Sequence, residues 1–368
     1  MTQKPLSVHG GDIYQNRIQY DFSVNTNPLP LPEVLQERMA KAAVRSNRYP
    51  QYDNVWLRER IAKLYHRNPN EVLCGNGASE LFAAIVHALR PKRVAIPAPS
   101  FSGYTWAAQM AGAEICEIFL RGEHNFAFDR EELMLFLQEL NGIDLLFLAN
   151  PANPVGNTIE ASLLETLLDV CEKKNITVVL DECFIAFTGQ DGYASWVLKY
   201  PHLIVVRAYT KIYAIPGIRL GYLLAQKQVC EKIARQLPEW NVSVVAQQIG
   251  VDILDDTIAG WNRKQYLNDT VQFIKQEKEY LKQELINIFK DHITIFPSEA
   301  NFLLLKTALP LYSWLQKRGI LIRDCANYAG LKQGFYRIAV KGHADNEILI
   351  RELTQIRKEG VKNGYGNH

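Results

Sequence analysis

The sequence predicts an α/β protein: a large domain on a mostly parallel seven-stranded sheet, followed by a smaller C-terminal α+β domain. Three observations predict it. Between residues 71 and 225, seven short Val/Ile/Leu-rich runs alternate with helical patterns, as in parallel sheets covered on both faces. After residue 226 the pattern changes to long charged helices and then short strands. At 368 residues the chain can form one large or two medium domains.

Residues 1–30 are proline-punctuated and show little periodicity, so they form an arm that must pack on something else. The large domain spans 31–225. "EVLCG" (71–75) leads into a helix starting near Ala78, and "RVAIP" (93–97) into one near Tyr104. Next come "AEICEIF" (113–119), "IDLLFLAN" (143–150), "ITVVLDE" (176–182), "LIVVR" (203–207) and "GIRLGYLLA" (217–225). The small domain spans 226–358. Its helices fill roughly 227–290, and "FIKQEKEYLKQELINIF" carries apolar residues at helical spacing. Strands follow at "ITIFP" (293–297), "NFLLLK" (301–306), "ILIRD" (320–324) and "FYRIAV" (335–340), with a helix near 309–318. A last helix runs to about 358, and residues 359–368 read as a flexible tail.

A formal charge of +2 gives no reason to expect a nucleic-acid or membrane-surface partner. The six cysteines form no C-x-x-C pair and mostly sit in apolar runs, which implies free thiols rather than disulfides or a zinc site; no metal is expected. The opening residues lack the apolar stretch of a signal peptide, and no run approaches the ~20 residues needed to span a bilayer. The expected location is the cytoplasm.

Ligands of such folds sit at the carboxyl ends of the parallel strands, and four of these loops carry notable residues. "GNGASE" (75–80) puts glycines before a helix N-terminus, where backbone N–H groups and the helix dipole favour an anion. It is also an ordinary Gly-rich turn. "NPANPVGN" (150–157) frames Asn153 between prolines; turn chemistry explains the prolines and Gly156 but not an amide held in so stiff a frame. "VVLDECFIAF" ends an apolar strand in Asp181, whose carboxylate needs a partner: a cap, a salt bridge or a cationic ring nitrogen. "RAYTKIYAIPGIRLGY" (207–222) sets Thr210 and Lys211 at a strand end among apolar flanks, with Arg219 beyond. A desolvated lysine has a depressed pKa and a neutral amine able to attack carbonyls. Arg219 can grip a phosphate as a bidentate fork.

An anion cradle, an amide, a buried carboxylate and a reactive lysine are the parts needed to hold pyridoxal 5′-phosphate. The order "GNG…E", "P-x-F-x-x-Y", "N-P-x-N-P-x-G", "D-E-x-F", "T-K-x-Y-A-I-P-G-x-R-x-G-Y" and "Y-R-I-A" resembles fold-type I pyridoxal-phosphate enzymes, over about residues 9–355. It looks like the branch containing histidinol-phosphate aminotransferase and threonine-phosphate decarboxylase. The resemblance implies that Lys211 bonds the cofactor aldehyde, Asp181 partners the pyridinium, Asn153 donates to the ring oxygen and Phe101 stacks on the ring. It further implies that Ala78, Ser79, Thr210 and Arg219 hold the phosphate, with Tyr49 of "RYPQY" reaching it from a neighbouring subunit of a homodimer. Two departures thin the polar contacts: Phe184 stands where aminotransferases of this branch place a tyrosine, and Ala208 where a serine is frequent.

Three features resemble the decarboxylases more than the aminotransferases: "HGGDI" with "YDFSVNTNPLPLP", "ILIRDCANYAGL", and "K-x-Y-A-I-P-G-x-R". By that likeness Arg337 takes a substrate carboxylate, Arg323 and His9 take a substrate phosphate, and Asn27 helps at the carboxylate end. Taken singly, His9 is also an ordinary arm histidine and Arg323 a strand-end arginine. The implied substrate is a small phosphorylated amino acid, threonine phosphate or its serine analogue, decarboxylated to an amino-alcohol phosphate for the linker of the cobalamin nucleotide loop. The alternative is a histidinol-phosphate-type aminotransferase; a catalytically silent regulator would be expected to lack Lys211 or Asp181. A dinucleotide-binding dehydrogenase is disfavoured, since no G-x-G-x-x-G follows the first strand.

Overall fold

The structure, a computed structural model, describes residues 9–14 and 17–362. Its central sheet has seven strands: β1 (Val72–Gly75), β2 (Arg93–Ala98), β3 (Glu114–Phe119), β4 (Leu145–Ala149), β5 (Thr177–Asp181), β6 (Leu203–Ala208) and β7 (Gly221–Leu224). They lie in the order β1-β7-β6-β5-β4-β2-β3. Only β7 runs antiparallel to its neighbours. The link from β6 to β7 holds one helical turn (Tyr209–Ile212) and one 3-10 turn (Pro216–Ile218), with no crossover helix to carry a parallel return.

Both faces of this sheet are buried, which explains the unbroken apolar runs. Leu146, Leu148, Val178, Leu180 and Val205 enter one core, while Leu145, Phe147, Val179, Ile204 and Val206 enter the other. Helices supply the covering layers through single apolar stripes. The helix Ala161–Lys173 buries Leu164, Leu167, Leu168 and Cys171, the spacing of one helical face.

Helical layers continue past residue 225: Lys227–Ala234 packs on Ala78–Leu89, and Val244–Ile253 on Glu33–Ala43 and Val55–Leu64. A second, antiparallel sheet comprises β8 (Thr294–Ile295), β9 (Phe302–Lys306), β10 (Arg323–Asp324) and β11 (Phe335–Ala339), in the order β10-β11-β9-β8. The helices Arg263–Phe289 and His343–Lys362 pack together beside it. The last helix runs to Lys362 rather than ending near 358, continuing through Gly360. Of the tail expected over 359–368, residues 363–368 lie outside the described residues.

The arm joins the two sheets. Tyr20–Asp21 pairs in parallel with Ile320–Leu321, and the Ala339 N–H donates to the Phe22 carbonyl at 2.9 Å. Further on, the Asn27 N–H donates to the Lys211 carbonyl at 2.9 Å. All six cysteines are free thiols. No helix among the described residues is long and apolar enough to cross a membrane.

Candidate active site

The sheet registers bring Ala149 beside Asp181 and Ala208 beside Gly221, while Gly221 in turn faces Gly75. The loops leaving β1, β2, β4, β5 and β6 thus share one edge. A cavity of about 420 Å³ opens there, closed from above by arm residues and by side chains of the second sheet.

Asp181, the last residue of β5, lies on its floor. The Cys183 N–H donates to Oδ1 at 2.9 Å and the Tyr104 hydroxyl donates to Oδ2. Burial pushes the carboxyl above its usual range, and donors from Cys183 and Tyr104 oppose that shift. Tyr104 is itself fully buried, stacked on Phe147 with ring centres 4.8 Å apart. Burial and the neighbouring carboxylate hold its phenol well above its ordinary value, so it stays a donor.

Lys211 sits in the single helical turn after β6. Burial first, then the charge of Arg337, lowers its ammonium from 10.5 to about 8. A reactive amine therefore faces a carboxylate across the cavity. Burying both charges among apolar strands costs stability, and such a pairing in a cleft marks a functional site.

The third component is an anion cradle. Ala78 and Ser79 open the helix Ala78–Leu89, and Thr210 and Arg219 flank the same end of the cavity. Gly77 caps the helix at φ +79°, and a Cβ there would stand 2.5 Å from Arg219 Nη2. A Cβ on Gly221 would stand 2.7 Å from the Ala78 nitrogen. Backbone N–H groups, an arginine and a hydroxyl converge where the helix dipole favours negative charge.

Opposite the cradle, Arg337 Nη1 donates to Asn153 Oδ1 and Nη2 donates to the Ser23 carbonyl at 3.0 Å. Arg323 donates from Nη2 to Asn327 Oδ1 at 2.7 Å and lies over the Tyr328 ring. Both guanidiniums are only 6% exposed yet border the cavity, with His9 and Phe101 at its wall, their rings 6.2 Å apart.

Eleven of the thirteen site residues expected from the sequence border this cavity, and two do not. Asn27 points away from it: its amide donates to the Ile212 carbonyl, Tyr266 and Thr270, and its oxygen accepts from the Leu29 N–H. With every polar atom engaged behind the Lys211 turn, Asn27 has nothing left for a substrate. The cavity-lining amide of this segment is Asn25. Tyr49 is 79% exposed and packs on Trp240, ring centres 4.6 Å apart, away from its own chain's cavity. Tyr104, Cys183, Asn25 and Tyr328 were missed as cavity neighbours. The second aromatic of "P-x-F-x-x-Y" was the signal for Tyr104.

The residues fit pyridoxal 5′-phosphate. The cradle is too tight for a Cβ at two glycines, the lysine is desolvated, the carboxylate is buried with donors on both oxygens, and the Phe101 ring lines the wall. A doubly covered α/β sheet with this constellation at its carboxyl edge defines the fold-type I pyridoxal-phosphate class.

The family model described as "Aminotransferase class I and II" matches residues 17–353. The chain belongs to that family, and its cofactor is pyridoxal 5′-phosphate. It is 32% identical to the threonine-phosphate decarboxylase of Salmonella typhimurium, over 95% of this chain and 96% of that one. The solved histidinol-phosphate aminotransferase from Clostridium acetobutylicum superposes with a TM-score of 0.83 at 28% identity, covering 92% of this chain and 99% of that one. The solved L-threonine-O-3-phosphate decarboxylase from Porphyromonas gingivalis gives 0.73 at 25% identity, covering 91% and 98%.

Proposed function

We propose that the protein decarboxylates a small phosphorylated amino acid, L-threonine O-3-phosphate or its serine analogue, to an amino-alcohol phosphate for the cobalamin nucleotide-loop linker. One observation carries this reading. Two arginines, Arg323 and Arg337, are buried at the rim opposite the cradle, with His9 beside them. A buried guanidinium calls for an anion, and two call for two. A substrate bearing both carboxylate and phosphate satisfies both, while the cofactor's own phosphate occupies the far end. Relatives named threonine-phosphate decarboxylase support the same reading.

Ala78, Ser79, Thr210 and Arg219 hold the cofactor phosphate, Asn153 the ring oxygen, and Phe101 one ring face. Asp181 would accept the hydrogen bond of the ring N–H and keep that proton in place. Lys211 forms the covalent link. Bound there, the cofactor supplies an electron sink for the pair left at the substrate Cα when a bond breaks. Arg337 and Arg323 would fix the two anionic ends of the substrate and so set which bond to Cα breaks. The Lys211 amine would hold the proton that returns to Cα. Were Cα–H presented to Lys211 instead, the same lysine would remove that proton and transamination would follow. Phe184 supplies no hydroxyl to the ring.

The chain works as a homodimer in the cytoplasm, with Tyr49 completing the partner's phosphate site. The deciding experiment offers the enzyme O-phosphothreonine, O-phosphoserine, or histidinol phosphate with 2-oxoglutarate. Carbon dioxide release without consumption of a keto acid is expected. Glutamate formed from histidinol phosphate would instead make it an aminotransferase.

A further inference from the structure

Arg323 stands where three cavities meet. Besides the cofactor cavity of about 420 Å³, it borders one of about 320 Å³ and another of about 280 Å³. A long side chain at such a junction has several directions open to it and loses rotamer freedom when held to one. The turn after β10 supplies what holds it. Arg323 Nη2 donates to Asn327 Oδ1 at 2.7 Å and Nη1 donates to the Asp324 carbonyl at 2.7 Å. The guanidinium carbon also lies 5.2 Å from the centre of the Tyr328 ring. Both acceptors are neutral oxygens, so they orient the guanidinium without cancelling its charge, and the rest of its five N–H donors are left for a ligand.

Asn327 differs from the residues of the site itself. It borders the two side cavities but not the cofactor cavity, so it reaches the site only through Arg323. Its place is fixed by the turn: the Ala326 N–H donates to Asp324 Oδ1 at 2.9 Å, and the Tyr328 N–H donates to the Cys325 carbonyl at 3.0 Å. Asn327 is exposed, whereas the guanidinium it holds is buried, so its loss leaves no void in the core. We propose that Asn327 is a positioning residue: by holding the Arg323 guanidinium on the cofactor side of the junction, it sets the preference for a phosphorylated substrate over its unphosphorylated counterpart. This role rests on the proposed function only in that Arg323 takes the substrate phosphate.

Initial absorbance changes of the holoenzyme on titration with O-phospho-L-threonine and with L-threonine give dissociation constants whether or not turnover follows. Carbon dioxide release is followed separately. A wild type that prefers the phosphorylated ligand but releases no carbon dioxide sinks the decarboxylase reading, and the variants still decide the role of Asn327.

Asn327→Ala removes the acceptor. Its dissociation constant for O-phospho-L-threonine is expected to rise about 5–20-fold, while that for L-threonine stays within about 2-fold of wild type. Cofactor affinity and melting temperature should be those of the wild type. In an Arg323→Ala background the same substitution should change neither constant by more than about 2-fold, because Asn327 acts through the arginine. Wild-type affinity for O-phospho-L-threonine in Asn327→Ala would overturn the proposal. So would equal losses for the two ligands, or the full loss repeated in the Arg323→Ala background. A wild type with no preference for the phosphorylated ligand would end it as well. A melting temperature several degrees lower in Asn327→Ala would make the residue structural, with the same consequence.

Discussion

Lys211 and Asp181 are placed against the interests of stability. An unfolded lysine keeps its proton to about 10.5, whereas Lys211 gives it up near 8. Between those values the unfolded chain binds more protons, so folding stability rises with pH across that window. Below pH 8 the full cost of burying the ammonium is present. Ligand-free Lys211→Met is therefore expected to exceed the native chain in stability at pH 7 by about 2 kcal/mol. The advantage should shrink steadily between pH 8 and 10.5 in urea titrations. Asp181 works in the opposite direction: its carboxyl is raised from 3.8, so it favours folding most at acid pH and loses that contribution as pH rises through the raised value. Tyr104 moderates the cost by donating to Oδ2. Tyr104→Phe leaves that oxygen short of a donor and is expected to weaken cofactor affinity about 10-fold, seen in fluorescence titration of the ligand-free protein. An unchanged affinity would show that the Cys183 N–H alone orients the carboxylate.

At the scale of elements, the cradle depends on how closely β7 approaches the turn before the helix Ala78–Leu89. A Cβ on Gly221 meets backbone, 2.7 Å from the Ala78 nitrogen and 2.8 Å from the Gly77 carbonyl carbon, so neither side can yield cheaply. Gly221→Ala is expected to lower unfolding stability by about 1–3 kcal/mol as well as cofactor affinity. Gly77→Ala differs, because its Cβ meets the flexible end of Arg219; backbone strain at φ +79° and ψ 169°, a region essentially reserved for glycine, is the main cost, about 1–3 kcal/mol. Denaturation of both variants should show a loss at each position, and cofactor titration should show weakened binding for Gly221→Ala. Six of the seven strands were legible because their runs are apolar on both faces, while the edge strand Glu114–Phe119 is half exposed and carries two glutamates; the catalytic loops followed from the strands' carboxyl ends. Other features had no such pattern. The arm's pairing of Tyr20–Asp21 with Ile320–Leu321 involves too few residues to leave a periodic trace. Choosing between Asn25 and Asn27 required the local path of a segment without regular structure, since both are amides flanked by small or apolar residues. Tyr104 sits in a helix whose buried face could be foreseen, but its hydroxyl meets Asp181 only across strands distant in sequence.

On the scale of the whole molecule, a group of exposed aromatic side chains bears on the proposed homodimer. Tyr49, Tyr52, Trp56 and Trp240 are 79%, 61%, 64% and 41% exposed, an unusual concentration of aromatic surface. In the proposed homodimer Tyr49, which does not line its own chain's cavity, would supply the phosphate contact to the second copy, so that each site would draw on two chains. Complementation tests this directly. Lys211→Ala should be inactive, and Tyr49→Ala should lose about 10-fold in kcat/KM at limiting cofactor. Mixed, unfolded and refolded together in equal amounts, the two variants form roughly half heterodimers, each with one intact site and one doubly altered site. About a quarter of wild-type activity should therefore return at limiting cofactor. If Tyr49 acted within its own chain, no heterodimer site would combine an intact Lys211 with an intact Tyr49. Activity would then stay at the average of the two parents, and the shared-site arrangement would have to be abandoned.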